Sequence, residues 1–123
     1  MIYEINMPIM LFPYKEHKLK KQELLAAIAD TPKDCIKEDN TIISETDYFL
    51  NDSLDKNYMQ VLGENFFKQI DDEFCKINHG PWSTEVSWVQ TYYKNETHDW
   101  HRHHSCLWAC VYYVDLPQDA PEH

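Results

Sequence analysis

A chain of 123 residues that is 43% apolar and 14% aromatic can build one globular domain with a real core and is too short for two. Its 21 acids and 11 bases give a net charge of −10, which leaves no basic surface to displace the counterions of a nucleic acid. No run of about 18 apolar residues is present to span a bilayer, and the opening MIYEINMPIMLFP lacks the basic head and cleavage site of a signal peptide, so a cytoplasmic location is expected.

In chain order, residues 2–12 alternate, with Tyr3, Ile5, Met7 and Ile9 on one side, and read as a half-buried strand that Pro8 places at an edge. Residues 15–30 read as a helix with Leu24, Leu25 and Ile28 on one side, stopped by Pro32. Residues 33–55 are polar and mixed and read as a long loop. Met59, Leu62, Phe66, Ile70, Phe74 and Ile77 then follow at spacings of 3, 4, 4, 4 and 3, the apolar stripe of a long helix over 56–77 that faces the core. The stretch TEVSWVQTYY at 84–93 reads as a strand, and CLWACVYYVD at 106–115 as a strand apolar on both faces and covered on both sides. The order implies an α+β fold with helices laid on a sheet.

Cys35, Cys75, Cys106 and Cys110 show no framework spacing. On one strand Cys106 and Cys110 would lie about 13 Å apart at Cα, beyond the roughly 7 Å a disulfide tolerates. All four read as reduced thiols.

The connection between the last two strands holds HDWHRHHSC at 98–106, four of the chain's seven histidines. On an extended backbone His101 and His103 face one way, with Cα atoms about 6.6 Å apart, and can converge on one metal ion. That is half of a mononuclear site. Solvated loop imidazoles are the plain alternative. A structural zinc held by two histidines with Cys106 and Cys110 is another, although such zinc usually takes its cysteines from tight turns.

The block SWVQTYYKNETHDWHRHHSCLWACVYYVDLP, residues 87–117, resembles the central part of the 2-oxoglutarate/Fe(II)-dependent oxygenases, most closely a branch from marine bacteria and phages. In that family a strand Trp, a Tyr with a Gly three residues on, His-x-His and a VYYV strand follow in this order. The resemblance implies a double-stranded β-helix (jelly-roll-like) sheet buttressed by two helices, and a dioxygenase that couples decarboxylation of 2-oxoglutarate to hydroxylation of a small-molecule or peptidyl substrate. It implies His101 and His103 as iron ligands, the latter where the wider family carries Asp, and Tyr92 and Tyr113 as 2-oxoglutarate contacts. Asn95 stands at the family's Gly, a residue type that tolerates positive φ.

The resemblance covers about 30 residues, and an eight-strand barrel needs roughly 80 or more. The expected third iron ligand and the basic residue that pairs with the cosubstrate carboxylate have no counterpart in this chain. The expectation is therefore a single domain, the N-terminal part of an oxygenase fold cut in mid-barrel, with weak iron binding and little turnover. An open sheet of this kind exposes edges, so a homo-oligomer with exchanged strands is expected. The alternative from another class is a non-catalytic binding or assembly module that keeps the sheet without the chemistry.

Overall fold

The computed structural model describes residues 9–38, 41–48, 50, 56–77, 80–93, 95–98, 103 and 106–117, with the backbone alone for 34–38 and 41–44. Two helices and a small antiparallel sheet make a mixed helix-and-sheet fold: α1 (His17–Asp30), β1 (Asp34–Glu38), β2 (Thr41–Thr46), α2 (Asn57–Lys76) and the two-residue β3 (Gln90–Thr91). The sheet order is β1-β2-β3.

Helix α1 is rich in Leu, Ala, Lys, Gln and Glu, all strong helix formers. It ends where expected. Thr31, before Pro32, is extended, because the proline ring disfavours helical geometry in the residue that precedes it. The Thr31 hydroxyl donates to the Ala27 carbonyl at 2.8 Å, and Lys33 Nζ reaches the Ile28 carbonyl, so side chains satisfy two acceptors of the last turn.

The loop expected at 33–55 is corrected: it contains β1 and β2. They pair antiparallel with Ile36 opposite Ile43 and Glu38 opposite Thr41, and an irregularity falls between Asp34 and Ile36. β2 then pairs with β3 through Glu45–Thr91 and Thr46–Gln90.

Helix α2 matches the expected span but is not one continuous rod. Gly63 has φ 64° and ψ −172°, a conformation essentially confined to glycine, and two helical pieces meet there. At the break the Tyr14 hydroxyl shares its proton between the Leu62 carbonyl (3.4 Å) and Glu16 Oε2 (3.1 Å), while Asn65 Nδ2 donates to Glu16 Oε1 at 2.8 Å. The stripe survives the break. Met59, Leu62, Ile70 and Phe74 are buried, with Phe66 partly so, and Ile77 at the helix end is exposed.

The core lies between the helices, around Tyr14, Leu24, Tyr58, Met59 and Leu62. Gln69 fastens the entering chain to α2. Its Nε2 donates to the Pro13 carbonyl at 2.7 Å, and its Oε1 accepts from the Lys15 N–H at 3.0 Å.

Both C-terminal strands are corrected in extent. Of 84–93 only Gln90–Thr91 joins a ladder, and residues 106–117 join none among the described residues. The latter segment alternates in burial from residue 111 to 114, with Cys110 exposed. Trp108, Tyr112 and Val114 are turned inward, while Leu107, Val111 and Tyr113 are 90%, 71% and 64% exposed. Cover on both sides is therefore not found; one face is packed. Trp108 and Tyr112 stand about 13 Å apart along an extended chain, and Phe74 and Phe66 about 12 Å apart along a helix. The spacings match, and the rings meet with centroids at 5.2 Å (Trp108–Phe74) and 5.3 Å (Tyr112–Phe66). Tyr112 also meets Tyr14 edge-on at 5.7 Å.

Two polar contacts seal this docking to α1. His17 Nδ1 and the Tyr112 hydroxyl are 2.7 Å apart, and Lys21 Nζ donates to Asp115 Oδ1 at 2.6 Å. His17 and Lys21 are one helical turn apart and so share a face of α1.

Of the strand expected at 2–12, residues 1–8 lie outside the described residues. Residues 9–12 carry no regular structure, and Ile9 and Leu11 are exposed. Among the described residues no helix is long and apolar enough to cross a membrane. Cys75, Cys106 and Cys110 are free thiols on the surface.

Candidate functional site

The motif block converges on Trp88, in the segment that leads into β3. The Trp88 ring lies between two partners: Tyr48, edge-on at 5.1 Å, and His103, stacked at 5.9 Å with an interplanar angle of 29°. Tyr48 lies two residues past β2, and its N–H donates to Thr46 Oγ1 at 3.2 Å, so the end of β2 sets its position. His103 is thus held against an aromatic face. Its partner in the predicted pair, His101, lies outside the described residues.

Tyr92 directly follows β3 and is 41% exposed. Its hydroxyl donates to Gln90 Oε1 at 2.8 Å. Partial burial, and then the neighbouring Tyr113 phenol, push the Tyr92 pKa above the ordinary tyrosine value. The Tyr113 phenol is therefore near enough to act on Tyr92. Both belong to an open face. Clefts of about 200 Å³ beside Asp47 and Lys56 and about 330 Å³ at the Gly63 break lie elsewhere.

Asn95, at the position where the resembled family carries Gly, has φ 68°, a left-handed conformation. Asn is one of the few side chains that enters this region readily. The turn it makes draws Glu96 back: the Glu96 N–H donates to the Tyr93 carbonyl at 3.1 Å, and a Glu96 carboxylate oxygen accepts from the Tyr93 N–H.

The residues that fix this region were not legible as functional. Asp47 sits at the end of β2 in a polar stretch, and Tyr112 is hidden in the Tyr112-Tyr113 pair, where period-two alternation separates an inward from an outward ring. Asp47 is 1% exposed and gathers three donors. Tyr58 Oη donates to Oδ2 at 2.8 Å, the Val89 N–H to Oδ1 at 2.8 Å, and Lys56 Nζ approaches Oδ2 at 2.9 Å. Burial, and next the Asp47 carboxylate, push the Tyr58 pKa far above the ordinary tyrosine range, so this hydroxyl stays a donor.

As a metal centre, the placed donors are few. An imidazole suits divalent iron or zinc, yet among the described residues no group of three or more His, Cys, Asp or Glu side chains comes together. His103 alone does not make a site. No protein-family model, curated protein or solved structure matches this chain.

Proposed function

We propose that the chain is part of a 2-oxoglutarate- and Fe(II)-dependent dioxygenase, with His101 and His103 as two of the iron ligands and Tyr92 and Tyr113 as contacts of the cosubstrate. The observation that carries this reading is the juxtaposition of the motif residues. Trp88 faces His103, and Tyr92 neighbours Tyr113, so residues separated by 15 and 21 positions in sequence gather beside one strand. Asn95 at positive φ, in the place of the family's Gly, supports it further. Iron, when bound, would supply the activation of O2 for oxidative decarboxylation of 2-oxoglutarate. The chain's own part is to orient. Trp88 braces the His103 ring, and the half-exposed Tyr92 hydroxyl, turned to Gln90 here, can turn to donate to an anionic cosubstrate. A double-stranded β-helix is the finer fold that goes with this reading.

The test is binding of Fe(II), or Co(II) as its spectroscopic substitute, with and without 2-oxoglutarate. Weak binding that tightens with 2-oxoglutarate and is lost in His101→Ala and His103→Ala is expected, with little CO2 release. Metal binding equal in the wild type and both variants would overturn the reading.

A second reading, a non-catalytic assembly module, is favoured by the outward face of residues 107–113. Cys106 to Val114 contains no charged residue, proline or glycine in a chain of net charge −10. It lacks the devices that protect strand edges. A second copy of this chain is the occupant that fits. Antiparallel pairing about a twofold axis sets Leu107 against Tyr113 and Ala109 against Val111, along a strip where like charges do not oppose approach. Association that strengthens with salt and is abolished by Val111→Lys is expected in sedimentation. A monomer at every concentration and ionic strength excludes it.

A further inference from the structure

We infer that Asp47 is the positioning residue of the candidate site: its buried carboxylate holds the Trp88 strand at the place where the indole meets His103. The inference rests on the proposed role of His103, and its geometry begins at the end of β2. Thr46 pairs with Gln90 and Glu45 with Thr91, which sets the register of β3. Two ladder pairs are a short anchor. The chain just before them is held by side chains instead. Asp47 Oδ1 accepts from the Val89 N–H at 2.8 Å, and Lys56 Nζ donates to the Ser87 carbonyl at 3.0 Å. The residues on both sides of Trp88 are therefore fixed, one through Asp47 directly and one through the lysine that Asp47 pairs with at 2.9 Å. Tyr58, from the first turn of α2, completes the carboxylate at 2.8 Å.

The consequence falls on Trp88. With the Ser87 carbonyl and the Val89 N–H both held, the backbone that carries the indole is fixed on either side. The indole lies 5.1 Å from Tyr48, the residue next to Asp47, and 5.9 Å from His103. An unpaired buried carboxylate would be costly, and here its donors come from two distant pieces of chain, Lys56 and Tyr58 at the start of α2 and Val89 before β3. The charge thus ties the end of β2, the start of α2 and the Trp88 strand into one unit.

The experiment is NMR of the metal-free protein at fixed pH, following the His103 ring protons and the Val89 amide. Trp88→Leu defines the His103 position without the indole ring current. In Asp47→Asn the His103 resonance is expected to move at least halfway to that position, and the Val89 amide to lose its downfield shift, while the helical circular dichroism is kept. Ile70→Val, which destabilises the helix packing without touching this network, is expected to leave His103 where it is. Should Asp47→Asn not fold, Lys56→Met and Tyr58→Phe each remove one donor and should produce smaller displacements in the same direction. A folded Asp47→Asn with His103 at its wild-type position, or no displacement in either milder variant, overturns the assignment. No metal is present in any sample, so the outcome is independent of whether iron binds.

Discussion

Tyr112 and Tyr113 are neighbours of one residue type with opposite surroundings. Tyr112 packs against Tyr14 and Phe66 and bonds to His17, whereas Tyr113 is 64% exposed and has Tyr92 as its neighbour. The same division runs through the molecule. The inward side carries apolar burial, the Asp47 network and the aromatic contacts with α2, and these hold the fold together. The outward side holds Tyr113 and the uncharged strip, on which the proposed functions rest. A substitution's effect should depend on which side it falls, more than on residue type.

Matched substitutions can break that contrast. The largest difference is expected between Leu24→Ala and Leu107→Ala. Leu24 is 1% exposed, so its truncation leaves a cavity and should cost about 4 kcal/mol in denaturant unfolding. Leu107 stands in solvent, and its loss should stay within about 0.5 kcal/mol. Equal effects would mean that the outward face is covered.

Next is the alkaline limit. Burial, then the Glu16 carboxylate, push the Tyr14 pKa from 10.0 up to about 12. A raised folded-state value means stability fully present below pH 10 and lost as pH rises through about 12, roughly 3 kcal/mol for one group. Unfolding free energies measured at pH 9 and pH 12 check this: Tyr14→Phe should remove the Tyr14 share of the slope and leave that of Tyr58, whose pKa is raised further.

Gly63→Ala is expected to cost about 2 kcal/mol through backbone strain alone, since nothing lies within 4 Å of the added methyl group. A neutral result would show that α2 can straighten. The smallest contrast is Tyr112→Phe against Tyr113→Phe. The first removes the partner of His17 and should cost about 1 kcal/mol, and the second should cost none, as read from paired thermal melts. Reversal of that order would place the functional face on the other side of the segment.

Much of the helical part was legible because a repeat of 3.6 leaves a mark on composition. The stripe from Met59 to Phe74 names the buried face of α2, and Pro32 names the end of α1. The break at Gly63 was missed because one glycine inside a helical pattern is usually tolerated. The β1–β2 pair was missed for a different reason. Short strands among polar residues carry little periodicity, and the β-branched Thr41, Ile42 and Ile43 were outweighed by their surroundings. Of the candidate site, the order of Trp88, Tyr92, Asn95, His103 and Tyr113 was readable. That Asp47 holds the first of these was not, because a buried carboxylate looks in sequence like any solvated one.

By itself, then, the sequence determined the two helices, their buried faces, the free thiols and the positions where ligand chemistry could lie. All of these follow from local periodicity and residue type. Only the tertiary structure decided which tyrosine of a pair turns inward, what holds the Trp88 strand, and which face is left open. Those outcomes depend on contacts between residues 40 to 95 positions apart, and no local pattern encodes which distant partner a side chain will meet.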